Sequence, residues 1–414
     1  MQLKRTIWPV GHGGFYTEQF LLCKGNLFTV AYDCGAKTKK IFIDSINQSS
    51  IDSTHPIDLL FISHFHKDHI NGLPYLLDND LIKHIILPQL DPNRVLEAIV
   101  YNYISADNDN ESQDANERLQ EILISWVNEQ KGDYTITEIS DDAEERAATP
   151  IDLEIESPIH LSRRLRTGTP ILLTNGSYPI WQYILISYIN QQQFDKLKDA
   201  LSALMGKYSK QLIKTDGKID WESLKDFMSK KSKEGNKRKQ YTYLDDIKKI
   251  YAKIFKPKQG EQPHNNYSMP VYSGPLKEVF MDDDFLYYHW RHYRIAMLPD
   301  FYNYHLLDIL AYHSAHCLYT GDFEANDSKK LITVKKALGN LWAKVGLLQI
   351  PHHVSDNNYK PALYNHRMLC FGNVNDKKDI SFSFSTFKNI IFRRHCLPLV
   401  ITEKSDALCL VYWL

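Results

Sequence analysis

The sequence predicts an α/β protein: both ends build the fold, and the middle is a large, mainly helical, charged insertion. Three observations carry this expectation. Both ends alternate short apolar runs of strand length with stretches of helical spacing. Charge is segregated between them, with 16 acidic and 3 basic residues over 101–157, then 16 basic and 7 acidic over 207–258. The whole chain of 414 residues is nevertheless near neutral, at a net charge of -1. The expected division is a discontinuous domain of 1–100 and 262–414, from which 101–261 projects.

Along the chain, residues 19–24 and 27–33 are apolar runs joined by Gly25-Asn26, which predicts a hairpin. Residues 57–63 form an apolar run that ends in a polar loop, the pattern of a buried strand, and 84–87 form another that Pro88 ends. Helical stretches are expected at 74–77 and 93–101. In the middle, 184–205 and 244–255 carry apolar residues at helical spacing, and 107–114 reads as a loop. Strands return at 295–298, 317–320, 345–350 and 408–413.

Composition narrows the function classes. The chain is 43% apolar and 24% charged, ordinary for a globular protein. Its six cysteines include no C-x-x-C pair, which argues against a thiolate zinc site or a redox pair. They are too sparse for a disulfide scaffold. The N-terminus lacks the apolar stretch of a secretory signal, and no run reaches the roughly 18 apolar residues of a membrane span. A reducing, cytoplasmic setting without a membrane partner is expected.

One segment carries the chemistry: Ser63-His64-Phe65-His66-Lys67-Asp68-His69, directly after an apolar strand. Three imidazoles and a carboxylate within six positions are a donor set suited to Zn²⁺ and similar ions. His64 and His66 share a side by i, i+2 alternation, while the adjacent Asp68 and His69 project differently. That geometry suits two neighbouring ions better than one.

His64-x-His66-x-Asp68-His69 resembles the signature of the metallo-β-lactamase superfamily. Gly11-His12-Gly13-Gly14, the strand ending Tyr32-Asp33-Cys34-Gly35, and Leu318-Tyr319-Thr320-Gly321-Asp322 follow the family's order. Pro351-His352-His353-Val354-Ser355 resembles the Pro-His-His-Gly-Ser motif of the subgroup with the DNA-uptake channel hydrolase domain and phosphorylcholine esterases, with Val354 in place of glycine. The resemblance covers 1–100 and about 262–414. It implies an αββα sandwich with a site for two divalent ions, Zn²⁺ favoured and Mn²⁺ the alternative.

The resemblance also implies roles. His64, His66 and one further histidine hold the first ion; Asp68, His69 and a late histidine hold the second; Asp322 bridges them. The late ligand is His352 or His353, with His353 preferred, which leaves His352 to contact the substrate anion or the leaving group. Asp68 also orients the nucleophilic water. For the further histidine, His264 is favoured, because 263–268 resembles the Asn-Asn-x-Ser strand entry of the DNA-uptake subgroup. His305 is second. His289, His292, His313, His316 and His84 read as structural, and Lys67 as either a solvated lysine or a contact for an anionic substrate.

Lys230, Lys231, Lys237, Arg238 and Lys239, with Tyr241 and Tyr243 close by, offer cations for phosphates and rings for bases. The same run also reads as a solvated loop, and the acidic stretch 141–145 is a candidate counterpart for it. The leading expectation is a phosphodiesterase or nuclease that uses a metal-activated water. The alternatives are a hydrolase of small esters, lactones or lactams, and a subunit of a larger assembly in which 101–261 docks a protein partner.

Overall fold

The computed structural model describes residues 1–22, 25–105, 110–128, 134–140, 149–155, 157–176, 178–188, 191–229, 243–255, 268–277, 280–281, 315–355, 360–365, 368–376, 389–390 and 396–414. The chain opens with an antiparallel meander, β1 (Gln2–Ile7), β2 (Tyr16–Leu21) and β3 (Leu27–Tyr32), in which Gly25 turns β2 into β3 at φ +82°. Helix α1 (Lys39–Gln48) starts where the Thr38 hydroxyl accepts the Ile41 N–H. Then come β4 (Ile57–Phe61), α2 (Lys67–Ile70), α3 (Leu73–Asp78) and β5 (Ile82–Pro88). Helix α4 (Pro92–Ile104) has proline in its first turn and Asp91 capping the Asn93 and Arg94 amides.

The middle of the chain contributes α5 (Asn110–Val127), β6 (Thr135–Ser140), β7 (Ile151–Glu154), β8 (Arg164–Arg166), β9 (Pro170–Asn175), β10 (Tyr178–Leu185), α6 (Gln191–Lys207), α7 (Trp221–Ser229) and α8 (Tyr243–Phe255). The last part holds β11 (Val271–Pro275), β12 (Phe280–Met281), β13 (Cys317–Tyr319), α9 (Ser328–Leu338), β14 (Leu347–Gln349), β15 (Leu369–Asn373), β16 (Leu397–Ile401) and β17 (Leu408–Trp413).

These strands make two mixed sheets. One runs β12-β17-β1-β2-β3-β4-β5-β6-β8 and the other β16-β15-β14-β13-β11-β10-β9-β7. Leu3, Phe20, Tyr32, Phe61, Trp181, Tyr183 and Phe371 share the apolar layer between them. Residues of α1 and α3 to α8 pack on the outer face of the first sheet, and α9 packs on that of the second. This is the αββα sandwich that the resemblance implies. Strand β4 is buried along its whole length, as a central parallel strand with both faces covered must be. Among the described residues, no helix is long and apolar enough to cross a membrane.

The expected boundary of the insertion meets a different arrangement over 135–185. Here β6 and β8 extend the first sheet beyond β5, while β7, β9 and β10 extend the second, with β10 paired to β11. Residues 184–205 are likewise not one helix: Ile184 and Leu185 end β10, and α6 begins at Gln191. The local signals are the β-branched residues Thr135, Ile136, Thr137 and Ile139 of β6 and the aromatic, β-branched run of β10. A charge count over 50 residues averages such short signals away. What remains helical is α5 and the α6–α8 group, which packs against α4. The expected strand at 295–298 and the acidic stretch 141–145 lie outside the described residues.

The layer between the sheets also holds an ion pair. Arg5 and Glu18 face each other across β1 and β2 at inward positions, with Nε to Oε1 at 2.8 Å. Tyr183, Tyr319 and Ser273 donate their hydroxyls to Glu18 at 2.6 to 2.9 Å. Arg5 also donates to the Ala315 carbonyl at 3.1 Å and lies over the Trp181 and Tyr412 rings.

Candidate metal centre

The site forms where strands of both sheets end together. β3 ends at Asp33 and β4 runs into Ser63 and His64; β13 leads to Asp322, and β14 leads to His352 and His353. In open α/β sheets the carboxyl ends of strands are where ligand groups converge. The loop after β3 lies tightly against α2. The Cys34 N–H donates to the His69 carbonyl at 2.9 Å, and a Cβ on Gly35 would fall 2.0 Å from the Asp68 carbonyl. Gly321 sits at φ +54°, and a Cβ there would fall 2.8 Å from the Ser63 side chain, so a side chain in the Thr-Gly-Asp turn would force a shift.

The carboxylate of Asp322 is central. Its Oδ1 lies 3.1 Å from His69 Nε2 and 3.6 Å from His353 Nε2. Its Oδ2 lies 3.7 Å from His64 Nε2 and 3.9 Å from His352 Nε2. Asp68 Oδ2 is 3.1 Å from His353 Nε2 and 3.9 Å from both His69 Nε2 and His12 Nε2. The result is two groups able to hold an ion, each with its donor atoms within 4.8 Å of one another: Asp68, His69, Asp322 and His353, then His64, His66 and Asp322.

Each imidazole is held from behind. His69 Nδ1 bonds Asp33 at 2.7 Å, and Asp33 in turn accepts the Ser63 N–H and hydroxyl. His64 Nδ1 meets the hydroxyls of Ser63 and Ser268, and His353 Nδ1 meets the Asn373 carbonyl. His66 Nε2 lies 3.4 Å from Glu97 on α4, and the Tyr101 ring stacks on His66 at 3.7 Å. Two buried nitrogens, His64 Nε2 and His66 Nδ1, have no hydrogen-bond partner.

Charge is tightly coupled. Burial pushes Asp68 and Asp322 up, but His69 and the neighbouring histidines outweigh it and hold both well below the ordinary carboxylate range. Burial works against protonated His69, yet Asp322, Asp33 and Asp68 raise it well above the ordinary value. Burial, then repulsion from His69 and His66, lowers His64.

His352, His353 and Val354 all have left-handed backbones, at φ +52°, +49° and +64°. For a β-branched residue that is a strained conformation. The Val354 Cγ2 occupies the space where a side chain on residue 372 would be: a Cβ on Gly372 would come within 2.3 Å of it.

The structure thus brings together His64, His66, Asp68, His69, Asp322 and His353, with His352 beside Asp322 and the His353 ring. His264, His305, His289, His292 and His313 lie outside the described residues, as do Lys230, Lys231, Lys237, Arg238, Lys239 and Tyr241. His84 is remote, between the Thr135 and Thr137 hydroxyls, and His316 bonds Tyr272. The sequence reading gave no role to Asp33, Ser268, Glu97 or Tyr101. Asp33 and Ser268 had a signal, one in a strand-ending Asp-x-Gly and the other in the Asn-Asn-x-Ser strand entry; Glu97 and Tyr101 had none.

No family model matches this chain, and no curated protein matches it. Among the solved structures that match is one described as a long form RNase Z from yeast. It is 10% identical, with a TM-score of 0.27, over 90% of this chain and 36% of that one. The chain therefore spans about a third of the length of that protein.

Proposed function

We propose that the chain is a metal-dependent hydrolase of the metallo-β-lactamase kind that cleaves phosphodiesters, with nucleic acid the favoured substrate. One observation carries the metal reading: the Asp322 carboxylate offers one oxygen to each of two donor groups, beside buried histidine nitrogens that have no partner. Buried polar atoms without a partner are rare unless a bound group satisfies them. The imidazole-carboxylate set fits Zn²⁺ or Mn²⁺.

Asp68, His69, His353 and Asp322 would hold one ion. His64, His66 and Asp322 would hold the other, completed by His264 or His305. Bound ions supply a water of lowered pKa and positive charge at the scissile phosphate. The chain does the rest. Asp68, the most exposed carboxylate of the cluster, orients that water. Asp33 fixes the His69 ring through Nδ1, and Ser63 and Ser268 fix His64. His352, partly open to solvent, binds the substrate anion or the leaving oxygen.

The phosphodiester class rests on the Pro-His-His-x-Ser resemblance and on the lysines and arginine of 230–239. Metal-supplemented assays on RNA, DNA, a small phosphodiester, and ester, lactone and lactam substrates test it side by side. Turnover of the phosphodiesters that Asp322→Asn abolishes is the expected result. Turnover confined to the esters or lactams would move the reading to the small-molecule alternative. No turnover of any substrate, with no metal taken up, would favour the assembly subunit.

A further inference from the structure

We propose that Glu97 and Tyr251, from the helical layer, are positioning residues that choose which nitrogen of His66 faces the metal centre. The inference rests on the metal reading above. His64, His69 and His353 share one pattern: a protein oxygen holds Nδ1, and Nε2 points at the cluster. His66 is reversed. Its Nε2 meets the Glu97 carboxylate at 3.4 Å, and its buried Nδ1 is the atom without a partner. A neutral imidazole carries one N–H, so donation from Nε2 to Glu97 leaves the lone pair on Nδ1.

Glu97 is itself held. It is buried on α4, and the Tyr251 hydroxyl of α8 donates to the same Oε1 that faces His66. Tyr101, one helical turn after Glu97, stacks on the His66 ring with an interplanar angle of 18° and packs near Tyr251. Its next neighbour Asn102 accepts the Lys67 N–H at 2.7 Å and donates to the Phe65 carbonyl at 3.0 Å. Three residues of α4 thus seat the motif loop, and α8 fastens the one that sets the ring. The α6–α8 layer carries none of the family motifs, yet through Tyr251 it reaches a metal-facing imidazole in two hydrogen bonds.

The test is a Co²⁺ titration of the full chain, followed by calorimetry and visible absorption, for wild type, Glu97→Gln, Tyr251→Phe and Asn93→Ala. Asn93 joins α4 to Asp195 away from His66 and serves as the control. Wild type is expected to bind two ions. Glu97→Gln should weaken one of them by about 10–100-fold and alter the absorption of that site, leaving the other ion unchanged. Tyr251→Phe should shift the same site in the same direction by a smaller factor. It removes only a hydroxyl, so it carries the test if Glu97→Gln loses its fold. Asn93→Ala should match wild type. If wild type binds two ions and both variants bind them with unaltered affinity and spectrum, the positioning role is wrong and the metal reading stands. A wild type that takes up no ion overturns both.

Discussion

The Arg5–Glu18 pair and the His/Asp cluster both place charge in the interior of the fold, yet one network is closed and the other open at one edge. Around Glu18, donors arrive from Arg5, Tyr183, Tyr319 and Ser273, and Arg5 is shared with a carbonyl and two aromatic faces. Around Asp322, the Asp68 carboxylate crowds in with His64, His69, His352 and His353, and two nitrogens, His64 Nε2 and His66 Nδ1, stay unmatched. A network that satisfies itself fixes how two sheets pack. A network that leaves donor atoms converging on shared space has the arrangement that a cation would satisfy.

The comparison can be broken most sharply at Asp68. On the proposed function, Asp68→Ala removes a metal donor and the carboxylate assigned to orient the water together, so turnover should fall by several powers of ten. Unfolding by urea should move by less than about 1 kcal/mol, since the side chain lies at the open edge of the cluster. A large loss of stability instead would make the cluster structural.

Glu18→Ala should do the reverse. It strands the Arg5 guanidinium in the sandwich, at a cost of about 3–5 kcal/mol. Metal stoichiometry per folded molecule should stay as in wild type. Replacing both partners, Arg5→Met with Glu18→Leu, should recover most of that loss, as apolar replacements of buried pairs do. If the double variant is no better than Glu18→Ala, the pair stabilises the packing beyond mutual neutralisation.

His84 sharpens the closed class with a smaller effect. Burial lowers its pKa from the ordinary 6.5 to about 4, and both ring nitrogens face threonine hydroxyls across β5 and β6. The unfolded chain takes up the proton first as pH falls. The stabilising contribution is therefore complete above about pH 6.5 and is lost between there and about pH 4, by at most about 3 kcal/mol. Urea unfolding from pH 7 to 4.5 should show this slope, flattened in His84→Gln. An equal slope in the variant would assign it to other groups.

How legible each region was follows the distance over which its parts interact. The loop from Ser63 to His69 announces itself because its donors are neighbours in sequence. Asp322 and His353 gained meaning from place, since each follows a short apolar strand. Glu97 and Tyr251 could not be read: a buried glutamate and a helix-face tyrosine look like any others until α4 and α8 pack behind His66. Arg5 and Glu18 were hidden similarly. In Leu3-Lys4-Arg5-Thr6-Ile7 the inward position of Arg5 is visible by alternation, but alternation alone argues against a charge there. The strands between β5 and α6 were obscured by net charge, which describes their connecting loops more than their buried faces.

The turn at His352, His353 and Val354 ties together two positions that look independent in sequence. A side chain at 372 collides with the branched side chain at 354, because a Cβ at 372 would meet the Val354 Cγ2 methyl at 2.3 Å while staying 3.8 Å from its Cβ. Glycine at both would relax the left-handed turn and leave a hole beside β15. The two sites are therefore epistatic. A relative with glycine in the His-His-x-Ser turn is free to carry a side chain opposite it, and this chain is not. A clash-free sequence of single substitutions between the two arrangements must first trim residue 354 to alanine or glycine, and only then add a side chain at 372, so the order of the changes is fixed.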